Sequence, residues 1–501
     1  MPIPVIDLFA GPGGLGEGFS SPQNGKRVFK IKLSIEKDPI AHQTLELRAF
    51  YREFPPKETP DEYYEYLHGK ITRNELFAKF PTSGKQAVNE AWCAELGKES
   101  DSEVDKRIKT ALGGEGKNWI LIGGPPCQAY SLLGRWRQKA DAKFEKDARH
   151  FLYKEYLRVL AVHKPPVFVM ENVKGLLSTT VNKERIFDRI HEDLRYPLAA
   201  TGFGKKEDLE YEFYPLTLTV GEVAKDLTPQ DFIIRAEDFG IPQARHRLII
   251  VGVRSDWPHK PKEFLEKRKT PVPIEDVIDD LPRLRSGLSK QPDSPELWQA
   301  AVREICNAKW LKNNKITGEL YDALISDNKC VGSTLKRGSL FMEYSEKPKY
   351  ASKWFIDSKL KGICNHETRS HIRADLHRYF FAAVFAKENG RSPTLDDFPT
   401  PLLPKHENVH DDKFGDRFRV QLAGRPSTTV VSHIAKDGHY YIHYDSSQCR
   451  SLTVREAARL QTFPDNYFFE GPRTEQYHQV GNAVPPLLAK QIAEIVAGLF
   501  D

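Results

Sequence analysis

Cys127 stands in Gly123-Gly-Pro-Pro-Cys-Gln-Ala-Tyr-Ser131, directly after the apolar run Trp119–Ile122. Two prolines fix the backbone and set the thiol just past the carboxyl end of a strand, where ligands of open α/β sheets bind. Most cysteines are small, inert hydrophobes, but a rigid turn followed by Gln128 reads as a positioned nucleophile. Cys93, Cys306, Cys330, Cys364 and Cys449 lack such surroundings and take no role. Glu171-Asn172-Val173 leaves another apolar run, and Gln243-Ala-Arg245-His-Arg247 precedes a third. A carboxyl at a strand tip facing a thiol suits acid catalysis. Paired arginines suit an electron-rich ring or a phosphate. Near the start, Gly11-Pro-Gly13-Gly14-Leu-Gly16 matches G-x-G-x-x-G, which fits a nicotinamide nucleotide or another adenosine ligand. Glu36 lies where an acidic residue binds ribose hydroxyls, and it reads equally as a surface carboxylate.

The elements that must hold these residues follow from periodicity. Val5–Phe9, Ile31–Ile35, Trp119–Ile122, Val167–Met170 and Leu248–Val253 read as buried strands. Amphipathic segments such as Phe151–Val162 lie between them, which implies a mostly parallel, doubly wound α/β sheet covered on both faces. Residues 51–118 form a polar insertion expected as helices outside the sheet. From 255 to 449 prolines and aromatics replace the alternation. There, between Lys329 and Arg373, basic residues outnumber acidic ones, as on a solvated face. A helical pattern returns at Leu452, and Leu487–Phe500 closes the chain as an apolar helix.

Composition narrows the class. The 501 residues are 40% hydrophobic, too many for a disordered chain. No run is apolar enough for a membrane span. Six cysteines without C-x-x-C pairing argue against a disulfide scaffold or zinc ribbon. The N-terminus lacks the pattern of a signal peptide, so a reducing cytoplasm is expected. A net charge of +5 permits nucleic acid as a partner without arguing for it.

Taken in order, the glycine loop, Glu36, PPCQ, ENV and Q-x-R-x-R resemble the motifs of the DNA (cytosine-5) methyltransferase family. The likeness resumes at Arg450-Ser-Leu-Thr-Val-Arg-Glu-Ala-Ala-Arg-Leu-Gln-Thr-Phe-Pro464 and Gln479-Val-Gly-Asn-Ala-Val-Pro485. It covers roughly half the chain. Two departures stand out. Lys37 follows Glu36 where the family often has an aromatic residue, and the nearest match to its next acidic residue, an adenine contact, is Lys70 in Gly69–Thr72.

The resemblance implies S-adenosylmethionine as methyl donor, with no metal. Phe9, Gly11, Gly13, Gly14, Glu36, Pro125, Leu152 and Asn482 would surround it. It implies Cys127 as a nucleophile toward C6 of cytosine and Glu171 as a neutral acid at N3, which burial would favour. Arg245 and Arg247 would hold the base's O2 and the Cys127 loop. The base would be flipped out of duplex DNA, with Gln128, Ser131, Leu133, Arg135 and Arg137 on a closing loop. Trp136 there either fills the vacated stack or packs a helix. Thr428 and Thr429 would bind the neighbouring phosphate, or are plain strand. Residues 1–257 plus 476–501 would form the catalytic domain, and 258–475 a smaller target-recognition domain whose side chains enter the major groove. The expected protein is a bacterial, monomeric modification enzyme acting on double-stranded DNA, compatible with a separately acting restriction endonuclease. A tRNA methyltransferase on the same scaffold, a nicotinamide oxidoreductase and a catalytically silent DNA-binding module are the rival readings.

Overall fold

The computed structural model describes residues 1–500 except 115, 117, 127–148, 179, 182–183, 219–226, 313–315, 317 and 405–414. Its centre is an eight-stranded sheet. Strands β1 (Ile3–Leu8), β2 (Phe29–Glu36), β3 (Ala91–Cys93), β4 (Ile120–Gly123) and β5 (Val167–Val173) run parallel in the order β3-β2-β1-β4-β5. Beyond them, β6 (Tyr211–Tyr214) and β7 (Ile233–Arg235) both pair antiparallel with β8 (His246–Arg254), which is itself antiparallel to β5. The parallel expectation therefore holds for four of the five expected strands, β1, β2, β4 and β5, whereas the fifth, Leu248–Val253 in β8, belongs to an antiparallel edge.

Side chains alternate between two apolar layers, because helices cover both faces. Ile6, Leu8, Ile35, Leu121, Phe168 and Met170 face one layer with helices α6 (Asp101–Leu112) and α7 (Arg149–His163). Val5, Ile31, Ile122 and Val169 face the other with α1 (Gly14–Ser20) and the closing helix α13 (Pro486–Ala497). The strand order reverses between β1 and β4, so a crevice opens outside their carboxyl ends. Among the described residues no helix is long and apolar enough to cross a membrane.

The insertion departs from expectation at two points. It supplies strand β3, with Cys93 opposite Glu36. Its helices also form a brace rather than a free appendage. Following α2 (Pro39–Arg52), α3 (Asp61–Leu67), α4 (Arg73–Lys79) and α5 (Pro81–Glu90) share an apolar cluster with Leu360 and Cys364 from the middle of the chain. Tyr64 Oη donates to Asp357 (2.7 Å), Tyr66 Oη to Glu470 (2.5 Å), and Lys359 pairs with Asp61 (3.0 Å).

The middle of the chain has its own core, built from helices α9 (Pro295–Arg303), α10 (Glu319–Lys329) and α11 (Arg373–Asn389), with Phe418, Val420 and Ile442. Helix α8 (Ile186–Arg195) belongs to the sheet layers instead. Residues 450–465 are the hub that joins the halves. Thr453 opens α12 (Val454–Leu460) with a capping box to Glu456. Arg450 clasps Glu456 (2.7 and 2.6 Å), and Arg459 clasps Asp465 (2.9 and 2.7 Å). Arg455 donates to the carbonyls of Cys364, Pro464 and Tyr467. Burial opposes the charge on Glu456, yet Arg450 outweighs it and holds the carboxyl well below its ordinary range.

Two buried histidines adjoin this hub, and burial pushes both down to about 4. The Pro282 carbonyl only accepts, so His366 Nε2 donates to it (2.9 Å) while Nδ1 accepts from the Thr453 hydroxyl (3.0 Å). His443 Nε2 lies 3.6 Å from Glu456. Histidines in the unfolded chain titrate near 6.5. Between pH 6.5 and about 4 the unfolded state therefore binds protons that the folded state refuses, and stability falls as pH drops. Each histidine contributes up to about 3 kcal/mol to that fall. His443→Asn is expected to flatten this limb in urea unfolding compared with wild type; parallel profiles would remove the histidine from the account.

Candidate active site

The glycine loop leaves β1 under strain. Phe9 sits at φ 57°, an unfavourable conformation for a bulky residue, and Gly11 and Gly13 follow at 57° and 93°. Glu36, at the tip of β2, turns its carboxylate onto this loop: Oε2 accepts from the Gly11 amide and Oε1 from the Asp38 amide, both at 2.8 Å. Burial raises the Glu36 carboxyl above its ordinary value, and the two amides oppose that shift. A Cβ on Gly11 would meet nothing within 4 Å, so open space lies over the loop. A Cβ on Gly14 would fall 2.2 Å from the Val484 carbonyl, so the loop rests directly on the turn after α14. That helix, Arg473–Asn482, ends at the exposed Asn482.

Tyr467 braces the loop by donating to the Pro12 carbonyl. Below it, Arg48 holds Glu17 through bonds of 2.8 and 2.5 Å. Asp7, fully buried on the α1 face, has no hydrogen-bond partner among the described residues, and burial pushes it up to about 8. Tyr467, Arg48 and Asp7 were not singled out in the sequence, where nothing local marks them. Open space at Gly11, a strand-tip carboxylate and left-handed glycines fit an adenosyl ligand. Pro125 and Leu152 are buried. Lys70 is in the turn after α3, bonded to the Glu65 carbonyl, whereas the strand beside Glu36 ends in the exposed Cys93. Adenine recognition is unassigned at Lys70 in the sequence and stays so.

Across the crevice, Glu171 and Arg247 meet. Arg247 Nε lies 2.8 Å from Glu171 Oε1, and both side chains are largely shielded from solvent. A Cβ on Gly124 would fall 2.9 Å from Glu171 Oε2, and Asn172 Nδ2 donates to the Pro125 carbonyl (3.2 Å). The chain leading to Cys127 is thus laid over Glu171 and Asn172. Cys127, Gln128, Ser131, Leu133, Arg135, Trp136 and Arg137 lie outside the described residues.

Arg245 does not join this pair. The strand breaks at residue 245, so 245 and 247 do not share a face. Arg245 is 2% exposed and donates to the carbonyls of Val430 (2.8 Å), Gly481 (3.3 Å) and Ala483 (2.7 Å). The expected contact of Arg245 with the base has no counterpart in this arrangement. The threonine hydroxyls are also engaged: Thr428 with Gln421 (3.0 Å), and Thr429 with the Ala244 carbonyl (2.6 Å). Ser427–Thr428 pairs in parallel with Gln243–Ala244 as a short strand, which agrees with the strand alternative.

A family model described as C-5 cytosine-specific DNA methylase matches residues 87–197 and 230–497. The chain belongs to that family. The enzyme is 33% identical to the type II methyltransferase M.Bpa9945I of Bacillus paralicheniformis, over 99% of each chain. It is 28% identical to the DNA (cytosine-5-)-methyltransferase M.ApeKI of Aeropyrum pernix, covering 80% of this chain and 85% of that one. Its fold matches an E. coli prophage-encoded structure described as a DNA modification methyltransferase, with a TM-score of 0.54 at 19% identity over 99% of both chains. It is thus a cytosine-5 DNA methyltransferase on an α/β sheet.

The approach of Gly14 to Val484 makes one consequence measurable. Gly14→Ala forces two main-chain segments apart and is expected to cost about 1–3 kcal/mol. A urea midpoint equal to that of wild type would show that the turn yields freely.

Proposed function

We propose that the enzyme moves a methyl group from S-adenosylmethionine to carbon 5 of a cytosine flipped out of a specific duplex sequence, through a covalent bond from Cys127 to C6. The observation that carries this reading is the meeting of Glu171, Arg247 and the Gly124–Pro126 lead-in at the carboxyl end of the sheet, opposite the glycine loop.

Carbon 5 of cytosine is a poor nucleophile. Addition of the Cys127 thiolate to C6 breaks the aromaticity and makes C5 enamine-like. Entry of the base separates Arg247 from Glu171. The guanidinium then holds O2, and the carboxyl, protonated, holds N3 and neutralises the charge that develops there. Gly11, Gly13, Gly14 and Glu36 would hold S-adenosylmethionine, which would supply the methyl group to C5 and depart as S-adenosylhomocysteine. A base or water takes the C5 proton as the Cys127 thiolate leaves. Residues 128–137 close over the duplex, and the segment 258–475 reads the neighbouring base pairs. The enzyme works as a cytoplasmic monomer. The type II names of its relatives support a companion endonuclease that cuts the same sequence. Family and motifs together leave no purpose for a nicotinamide.

Tritium from labelled S-adenosylmethionine is expected to enter duplex DNA and not tRNA. A duplex carrying 5-fluorocytosine at the target should trap wild type covalently, because fluorine blocks the last elimination, and Cys127→Ser should trap nothing. Equal trapping by the serine variant would assign the nucleophile elsewhere. Glu171→Gln is expected to lower the chemical rate by about 10²–10⁴ while DNA affinity changes little. Equal loss of rate and affinity would make Glu171 a structural residue.

A further inference from the structure

Three main-chain carbonyls from two stretches distant in sequence end on one guanidinium. Arg245 takes the carbonyl of Val430 from the end of the middle segment, and those of Gly481 and Ala483 from the turn that supports the glycine loop. Two buried glutamines repeat the same connection. Gln243 donates to Gln461 (2.9 Å) and the Leu460 carbonyl (3.2 Å), and its own carbonyl accepts from the Val430 amide (2.8 Å). Gln461 donates to the carbonyls of Val480 (2.7 Å) and Ala483 (3.2 Å).

Both ends of this knot are main-chain contacts. A Cβ on Gly481 would fall 2.3 Å from the Ser432 amide, and one on Gly14 would fall 2.2 Å from the Val484 carbonyl. Between them, Thr429 is tied to Ala244, three residues before Arg247 turns to Glu171. Among the described residues no carboxylate bonds Arg245, so its buried charge depends on these carbonyls staying in place. Movement of either partner segment leaves a buried cation short of acceptors, and that cost opposes independent motion of the two.

We infer that Arg245 is a positioning residue that couples the cofactor loop to the recognition segment, so that filling one site tightens the other. The inference rests on the reading above, since it takes 11–14 as the cofactor loop and 258–475 as the segment that reads DNA. Linkage requires the effect to be reciprocal.

The test uses the full chain, S-adenosylhomocysteine as probe, and a duplex fragment already shown to accept tritium from wild type. Binding of each is measured alone and in the presence of the other. Wild type is expected to bind each at least about 5-fold tighter when the other is bound, by the same factor in both directions. Arg245→Lys keeps the charge but cannot reach three carbonyls, and its factor should fall to near one while each separate affinity stays within about 3-fold of wild type. Gln461→Met, close in length, should lower the factor likewise and serves if the lysine variant does not fold. A factor retained in the folded variants, or absent from wild type, overturns the coupling role. Loss of fluorocytosine trapping in Arg245→Lys with the factor intact would return Arg245 to the base, as its motif implies. Failure of wild type to bind either probe would strike the proposed function itself.

Discussion

The main chain of Gly14 lies against that of Val484, and the crevice is complete only because these two stretches meet. The contact has no room for a side chain and spans nearly the whole sequence. The parallel strands and their helices set out the glycine loop and Glu36, but the floor beneath the loop arrives with α14 and α13. A Cβ on Gly18 would likewise strike Ala489, so α1 and α13 pack at their backbones. Such close packing fixes the loop's height above the sheet more narrowly than side-chain contacts would. The carboxylate of Glu36 can then rely on one amide, that of Gly11, to hold the loop's near edge.

Buried arginines do the work of joining the remaining segments, and they do so in two ways. Arg450 and Arg459 meet carboxylates and form closed ion pairs. Arg245 and Arg455 mainly gather backbone carbonyls, which commit no particular side chain and tie strands of chain rather than residues. A guanidinium suits this task because its donors fan out in a plane and stay charged when buried with partners. The motif from Arg450 to Pro464 is therefore an internal hub, and its value to the site is that it holds Tyr467 over Pro12.

The sequence showed four of the five parallel strands, β1, β2, β4 and β5, because strands covered on both faces are continuous apolar runs. It also showed which strand tips carry Glu36 and Glu171, since each follows such a run directly. The antiparallel edge was not legible, as Leu248–Val253 is equally apolar in either direction. Strand β3 is only three residues long and sits among helices, so its place beside Glu36 was hidden and Lys70 was compared in its stead. The separate fates of Arg245 and Arg247 were hidden too. Spacing by two implies a shared face only in an unbroken strand, and this one breaks between them. Tyr467, Arg48 and Asp7 have no local signature, because their roles depend on contacts across the fold.

The brace formed by α3–α5 bears on how such a protein diversifies. Leu360, Cys364 and Phe341 of the middle segment complete an apolar cluster whose other half, Phe50, Tyr63 and Leu67, belongs to the insertion near the N-terminus. His68 stacks on Phe341 and bonds the Leu360 carbonyl. A new middle segment acquired by recombination would arrive without that second half and leave aromatic surface uncovered. Residues 47–87 and the middle segment thus constrain one another's sequence, although the whole of 91–257 separates them in the chain.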